Sequence, residues 1–384
     1  MSKLNELKIG LITFFQTSNI GTLAQGYCTF QLLKELHEES EVEMLDIETF
    51  QRSLFRLKDA MPIISFKSRV FSFSPFKKQV SGRRFLKSHC NLRKVGFFHG
   101  IFKPVSILDG LGFDYIYTGS DTVWMHHTER APDIPNLYFL PPEMGGFKRR
   151  AFCVSIDPCK NSIPQFGLLN QCLINTLSGF DRIVVRDLNT KEMVERVAPQ
   201  VEIQLNFDPT LLYPYQDKLK IDYVNFDNLM REEVLIWCPS LETQSATLLL
   251  TRSKYRCTSR FDIDWTLNPI KEEVERMIRF GGLVTDRFHR AILMMKSSDA
   301  PVILVESEVK YPLNGSKGRE LMESLGLQDY VVRGSNLKNL KGDCIVELIS
   351  YWTLNCAKER RERLLKIERS AKLKIFEFLK TDHE

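Results

Sequence analysis

The feature that most constrains this chain is a repeated switch between short apolar runs and stretches of helical period. Residues 9–14, 42–47, 114–118, 151–156, 182–185, 234–238, 283–285 and 301–306 are short and largely apolar. Such runs suit strands covered on both faces. Between them lie helical stretches. One, at 22–37, places Leu23, Tyr27, Phe30 and Leu33 on one face, and another spans 164–177. Alternation of this kind predicts parallel sheets with crossover helices. In such sheets ligands bind at the carboxyl ends of the strands.

Residues 207–215 are rich in turn formers and proline, so the domain junction is expected there. Asn268 and Pro269 have the form of a helix cap and first helical position, with Gly281-Gly282 as the stop. A second helix is expected to start within 291–297, and a charged amphipathic helix over 357–379. Residues 50–105 have a weak pattern that reads as short helices and loops. The expected organisation is an N-terminal Rossmann-like domain (1–212), a C-terminal Rossmann-like domain (213–350) and a C-terminal amphipathic helix (351–384). The fold class is α/β: two Rossmann-like domains facing a cleft, GT-B-like. A single large α/β domain would give much the same pattern.

At 384 residues the chain is long enough for two cores. No run approaches the roughly 20 apolar residues of a membrane helix, and the N-terminus does not have the form of a signal peptide. The nine cysteines are scattered without a Cys-x-x-Cys pair, which suits a reducing cytosol and no metal site. The net charge of +5 is unevenly placed: between Phe66 and Lys103 there are ten Lys and Arg and no Asp or Glu. This stretch suits a solvated surface, or an anionic partner such as a lipid-linked saccharide diphosphate or the membrane that presents it. No nucleic-acid-binding signature accompanies it, so no nucleic-acid partner is expected. The expected location is the cytoplasm, at the inner face of the membrane.

Nucleotide-fold and metal motifs are missing: there is no Gly-x-Gly-x-x-Gly after a strand, no Walker loop and no His-Glu-x-x-His. Four short blocks remain. In Thr285-Asp286-Arg287-Phe288-His289 a buried strand leads into Asp, Arg and His as a helix begins. Backbone N–H groups, the Arg287 fork and a titratable His289 would suit an anionic substrate there. Equally, Asp286 could cap the helix. Val184-Val185-Arg186-Asp187 puts an arginine at a strand's carboxyl end, with pairing to Asp187 as the plainer alternative. Gly119-Ser120-Asp121-Thr122-Val123-Trp124, followed by His126, offers a tight turn, and Asp121 could orient or deprotonate a hydroxyl. Thr17-Ser18-Asn19-Ile20-Gly21-Thr22 is the first strand-to-helix loop.

Together these blocks resemble the polysaccharide pyruvyl transferase family. Residues 19–27 look like its Asn-Tyr-Gly loop and the Leu-Gln-Ala-Tyr that follows. Residues 113–124 look like its Gly-Ser-Asp-x-Val-Trp block, and Val185-Arg186-Asp187 like its Val-Arg-Glu element. Asp208-Pro209-Thr210 and the 285–289 block match two further segments, in the right order over residues 8–306. The chain departs from the pattern at Thr122 (often Gln), Arg290 (often Gly) and Ile156-Asp157. The resemblance implies a GT-B-like fold, with phosphoenolpyruvate as co-substrate and no cofactor or metal. The implied product is a pyruvate ketal on a sugar of a surface polysaccharide, with a lipid-linked saccharide as the expected acceptor. It assigns Arg287, His289 and Arg186 to the donor; the residue types themselves make His289 the expected acid and Asp121 the expected catalytic group on the acceptor hydroxyl. Arg186, Arg287, Asn19, Gly21, Ser120, Asp286 and His126 are assigned to substrate binding. A GT-B nucleotide-sugar glycosyltransferase and a non-catalytic glycan-binding relative are the alternatives.

Overall fold

The apolar runs become strands because both of their faces are covered. In β6 (Tyr115–Asp121) all seven residues are buried, and in β12 (Phe280–Thr285) all six. The computed structural model describes residues 7–15, 17–49, 63–65, 70–72, 74–98, 108, 110–124, 137–140, 146–156, 170–237, 255–258, 265–306, 316–333 and 343–380. The chain divides into two units. The first takes in Met1–Pro209, Trp265–Asn268 and Ala371–Glu384; the second takes in Thr210–Asp264 and Pro269–Ser370.

The first unit is built on a seven-stranded parallel sheet. Its strands are β1 (Lys8–Ile12), β2 (Glu41–Thr49), β5 (Leu92–Phe98), β6, β7 (Lys148–Val154), β8 (Arg182–Val185) and β9 (Glu202–Leu205). They are ordered β5-β2-β1-β6-β7-β8-β9. A separate antiparallel pair is formed by β3 (Ile63–Ser65) and β4 (Val70–Ser72). The chain winds outward from β1 in one direction through β2 and β5, and in the other from β6 to β9. The order therefore reverses between β1 and β6, which opens a ligand crevice at their carboxyl ends.

Helix α1 (Ile20–Leu36) follows β1, and Asn19 caps it by accepting from Gly21 N at 3.0 Å. The one-face pattern expected for it understates its burial: Ile20, Ala24, Cys28, Thr29 and Leu32 are enclosed as well. Residues 74–98 also differ from the expected short helices and loops. Ser74–His89 is a sixteen-residue helix, α2, and Leu92–Phe98 is a parallel strand paired with β2. The sequence hides α2 because Lys, Arg and Ser interrupt its apolar positions. Tertiary contacts hold it instead: Phe85 and Leu86 are buried, and Arg83 pairs with Asp46 of β2.

Gly119 is the position in β6 that no other residue can occupy. Its φ is +131°, and a Cβ there would lie 2.1 Å from the Phe152 carbonyl oxygen of β7. Gly119→Ala is expected to destabilise the first unit by about 3 kcal/mol. Urea unfolding of the purified variant measures this, and an unchanged midpoint would contradict it.

The second unit carries a five-stranded parallel sheet ordered β11-β10-β12-β13-β14. Here β10 is Met230–Trp237, β11 Arg256–Thr258, β13 Val302–Glu306 and β14 Val331–Arg333. Its order reverses between β10 and β12. Gly281 and Gly282, expected to stop a helix, lie inside β12 instead. The helix before them, Pro269–Met277, ends earlier, and Phe280 already pairs with Met230.

The remaining helices are α3 (Asn170–Leu177), α4 (Leu188–Val197), α5 (Pro209–Leu212), α6 (Tyr215–Leu219) and α7 (Pro269–Met277), then α8 (Phe288–Ser297), α9 (Lys317–Ser324), α10 (Asp343–Tyr351) and α11 (Leu354–Lys380). The tail helix α11 is not a body of its own. In the second unit Arg360 donates to the Ala300 carbonyl at 2.6 Å, and Lys296 pairs with Glu368 at 2.8 Å. In the first, Arg150 donates to the Leu379 carbonyl at 2.7 Å and Asn206 to that of Ala371 at 3.1 Å.

Candidate functional site

In the first unit, side chains from four carboxyl-end segments form one connected polar network. Arg186 follows β8. Its Nη1 lies 2.5 Å from Asp208 Oδ2 and its Nη2 lies 3.2 Å from Asp121 Oδ1. The Arg186 side chain is fully buried. Asp121 ends β6 with φ +74° and accepts from Thr22 Oγ1 of α1 at 3.1 Å and from Thr122 N at 2.9 Å. Asp208 also accepts from Gln25 Nε2 at 3.3 Å. At the carboxyl-end switch point of the first sheet, Arg186 thus ties Asp121, with Thr22, to Asp208, with Gln25.

Burial by itself would favour the neutral guanidine. Asp208, Asp121 and Asp187 overcome that and hold the Arg186 pKa above its ordinary value. Arg186 therefore stays charged, with each terminal nitrogen engaged by a carboxylate. The pairing with Asp187 weighed from sequence is not the one formed. Asp187 instead caps α4, accepting from Thr190 N at 2.8 Å and Thr190 Oγ1 at 2.7 Å. Cys153 lies against the same cluster. Burial, reinforced by Asp208 and opposed by Arg186, pushes its thiol pKa up, so it stays protonated.

The other expected residues of this loop set have visible local roles. Asn19 is the exposed cap of α1, and Gly21 is buried in its first turn. Ser120 is fully buried, with Oγ 2.7 Å from Thr29 Oγ1 of α1. That hydrogen bond turns it toward the helix, away from the role in substrate binding expected for it. His126 lies outside the described residues.

In the second unit, Thr285 ends β12 and ties the switch point together. Its Oγ1 donates to the Trp237 carbonyl of β10 at 2.8 Å and accepts from Arg287 N at 3.0 Å. This turn places Arg287 at the cap position of α8, so the helix starts at Phe288, earlier than expected. The first turn of α8 has no acidic residue and no side-chain cap bond, which leaves its positive end available to an anion. The Arg287 side chain is 47% exposed, and its Nε lies 3.4 Å from Asp286 Oδ1. His289 is half-buried, its ring edge-on to Phe288 at 5.3 Å. Arg290, where the sequence departs from the resembled pattern, is structural. It pairs with Glu273 of α7 at 2.5 Å, and its guanidinium stacks 3.9 Å from the Trp237 ring centroid.

The expected residues therefore fall into two groups, each at the carboxyl-end switch point of its own sheet. Asp208 and Gln25 were missed as site residues. The signal available for Asp208 was the Asp-Pro-Thr turn after β9. Among the described residues there is no cluster of His, Cys, Asp and Glu suited to a metal ion, and no helix is long and apolar enough to cross a membrane.

No sequence family and no curated protein matches the chain. Solved structures do. The trehalose-6-phosphate synthase OtsA superposes with a TM-score of 0.52 at 9% identity, over 97% of both chains. The α,α-trehalose 6-phosphate synthase of Burkholderia multivorans gives 0.51 at 10% identity, over 97% of this chain and 94% of that one. The UDP-forming α,α-trehalose-phosphate synthase of Burkholderia vietnamiensis gives 0.50 at 10% identity, over 98% of each. At such identities the likeness concerns the fold alone. It shows the GT-B-like α/β architecture with two Rossmann-like units.

Proposed function

We propose that this protein is a glycan-modifying transferase that moves the pyruvyl group of phosphoenolpyruvate onto two hydroxyls of a sugar. The observation that carries this reading is the 285–289 block. An exposed arginine and a histidine stand at a switch point, on the first turn of a helix without acidic residues. That is a receptor for a small, multiply charged anion.

The chemistry suits the residues present. C3 of phosphoenolpyruvate gains a proton, and a sugar hydroxyl adds to C2 as its proton is lost. The C2–O bond to phosphate then breaks, phosphate leaves with one proton, and the second hydroxyl closes the ketal ring. Arg287 and the α8 N-terminus hold the donor's negative charge. His289 supplies the proton on the donor side. Asp121, held by Thr22 and Arg186, is suited to accept a hydrogen bond from a sugar hydroxyl. No step calls for a cofactor.

A second reading, a nucleotide-sugar glycosyltransferase, is favoured by the likeness in fold to the trehalose-phosphate synthases. Calorimetric titration with phosphoenolpyruvate and, in parallel, UDP-glucose separates the two. Saturable binding of phosphoenolpyruvate, with phosphate release once a panel of lipid-linked saccharides is added, supports pyruvyl transfer. Binding of UDP-glucose alone would replace that reading with the second.

The acceptor is proposed to be presented on an anionic carrier at a membrane surface. Helix α2 exposes Phe76, Lys77, Arg84 and Lys87 on one stripe, whereas Arg83 is engaged by Asp46. The double change Arg84→Glu and Lys87→Glu is expected to raise the KM for a lipid-linked acceptor by about tenfold or more, since each basic residue near an anionic surface contributes about 1 kcal/mol. A short soluble acceptor should be unaffected. Equal effects on both acceptors would refute membrane docking through α2.

A further inference from the structure

Leu267 is 82% exposed, more than any other large apolar side chain among the described residues. It stands at a bend in Trp265–Asn268, a short segment that belongs to the first unit although the chain on either side of it belongs to the second. This segment lies on α2. Trp265 is buried against Gly82, where an added Cβ would come within 3.6 Å of its ring, and Lys78 Nζ lies 5.6 Å from the ring centroid. The Thr266 carbonyl accepts from Ser81 Oγ. With Trp265 and Thr266 held in this way, Leu267 emerges along the flank of α2. On the helix itself Phe76 is 54% exposed, and Arg84 and Lys87 are exposed as well. No Asp or Glu occurs between Ser74 and His89, and Asp46, which approaches from β2, is taken up by Arg83.

We propose that Leu267 inserts into the acyl boundary of an anionic membrane while Arg84 and Lys87 of α2 meet its headgroups. The inference rests on the reading that α2 faces a membrane surface, and it adds to that charge contact a second, apolar mode of attachment from a distant part of the chain. The core contact of the segment is made by Trp265, so burial within the protein does not account for Leu267. A leucine presented on a held backbone gains from leaving water without a further cost in backbone ordering. Basic side chains attract an anionic leaflet but lose their hold as salt screens them. Apolar knobs beside basic residues suit a fluid bilayer, which closes around them and needs no matching pocket. Phe76, on the exposed face of the same helix, offers a second such knob.

The test is co-sedimentation of the full chain with vesicles of phosphatidylcholine, with and without phosphatidylglycerol, at low and at high salt. The proteins are wild type, Leu267→Ser, Leu267→Trp, the double variant Arg84→Glu with Lys87→Glu and, as a control, Tyr351→Ser, a change at a 70% exposed side chain of the second unit. Loss of the leucine's burial predicts that Leu267→Ser binds phosphatidylglycerol vesicles about tenfold more weakly at both salts. The double variant should bind more weakly at low salt and match wild type at high salt, where its charges are screened. Leu267→Trp should bind like wild type, and brominated acyl chains should quench its added fluorescence. Tyr351→Ser should also bind like wild type. Should Leu267→Ser melt below wild type, Leu267→Gln is read in the same way. Equal binding of wild type and Leu267→Ser overturns the insertion and leaves the contact through α2 standing. An equal loss in Tyr351→Ser, or no quenching in Leu267→Trp, also overturns it. Wild type that binds neither kind of vesicle overturns the membrane reading as a whole.

Discussion

Replacing His289 by asparagine is expected to lower turnover by roughly 100-fold or more while leaving phosphoenolpyruvate affinity within a few-fold. Asparagine keeps a polar group of similar reach but cannot deliver a proton. The expected loss is therefore confined to kcat. The position supports this separation. His289 lies in the first turn of α8, two residues after the exposed Arg287, and is only half-buried. If His289 served only to pack against Phe288, the same change would lower the melting temperature and spare turnover. Measuring kcat and melting temperature on one purified variant separates the two, and a near-normal kcat would eliminate His289 as the acid.

Arg186→Ala is expected to act on the fold before it acts on any ligand. From sequence alone, an arginine just past a buried strand suggests a ligand contact whose loss the fold survives. The structure instead sets Arg186 between Asp121 and Asp208, with its side chain fully buried. Its removal leaves two buried carboxylates facing each other without a cation, a loss of about 3–5 kcal/mol. The first unit should then unfold at markedly lower urea concentration. Asp208→Asn, which keeps the shape and one acceptor, should cost less. If Arg186→Ala retained wild-type stability and lost only donor affinity, the bracing role assigned here would be wrong and the direct-contact role restored.

Particular residues show how far each site could be read in advance. Thr285, Asp286, Arg287 and His289 were legible because a buried run followed at once by polar residues must lie at a strand end. In a parallel sheet the carboxyl end is where ligands bind. The partner of Arg186 was not legible. Asp187 is adjacent in sequence, yet the partners lie 65 residues earlier and 22 residues later. Which carboxylate meets the guanidinium depends on which strands become neighbours, and no local pattern encodes that. Helix α2 and strand β5 escaped notice for a related reason. Their apolar residues are few and interrupted by charge, and contacts with α1 and β2 stabilise them. Leu267 carries no motif at all, and its place beside α2 follows from the contacts of Trp265 and Thr266 with that helix.

What the sequence by itself determined is the α/β character, the positions of most strands and the polar residues that each strand delivers at its end. These follow from local rules: apolar runs bury, polar groups must stay hydrogen-bonded or solvated, and small residues permit tight turns. Only the tertiary structure decided the strand orders β5-β2-β1-β6-β7-β8-β9 and β11-β10-β12-β13-β14. With them came the two reversal points and the encirclement of Arg186 by distant carboxylates. The physical reason is that a parallel strand pair forms through main-chain hydrogen bonds common to every residue type. Its choice of neighbour is set by how the intervening helices cover the sheet, which is a property of the whole packed unit.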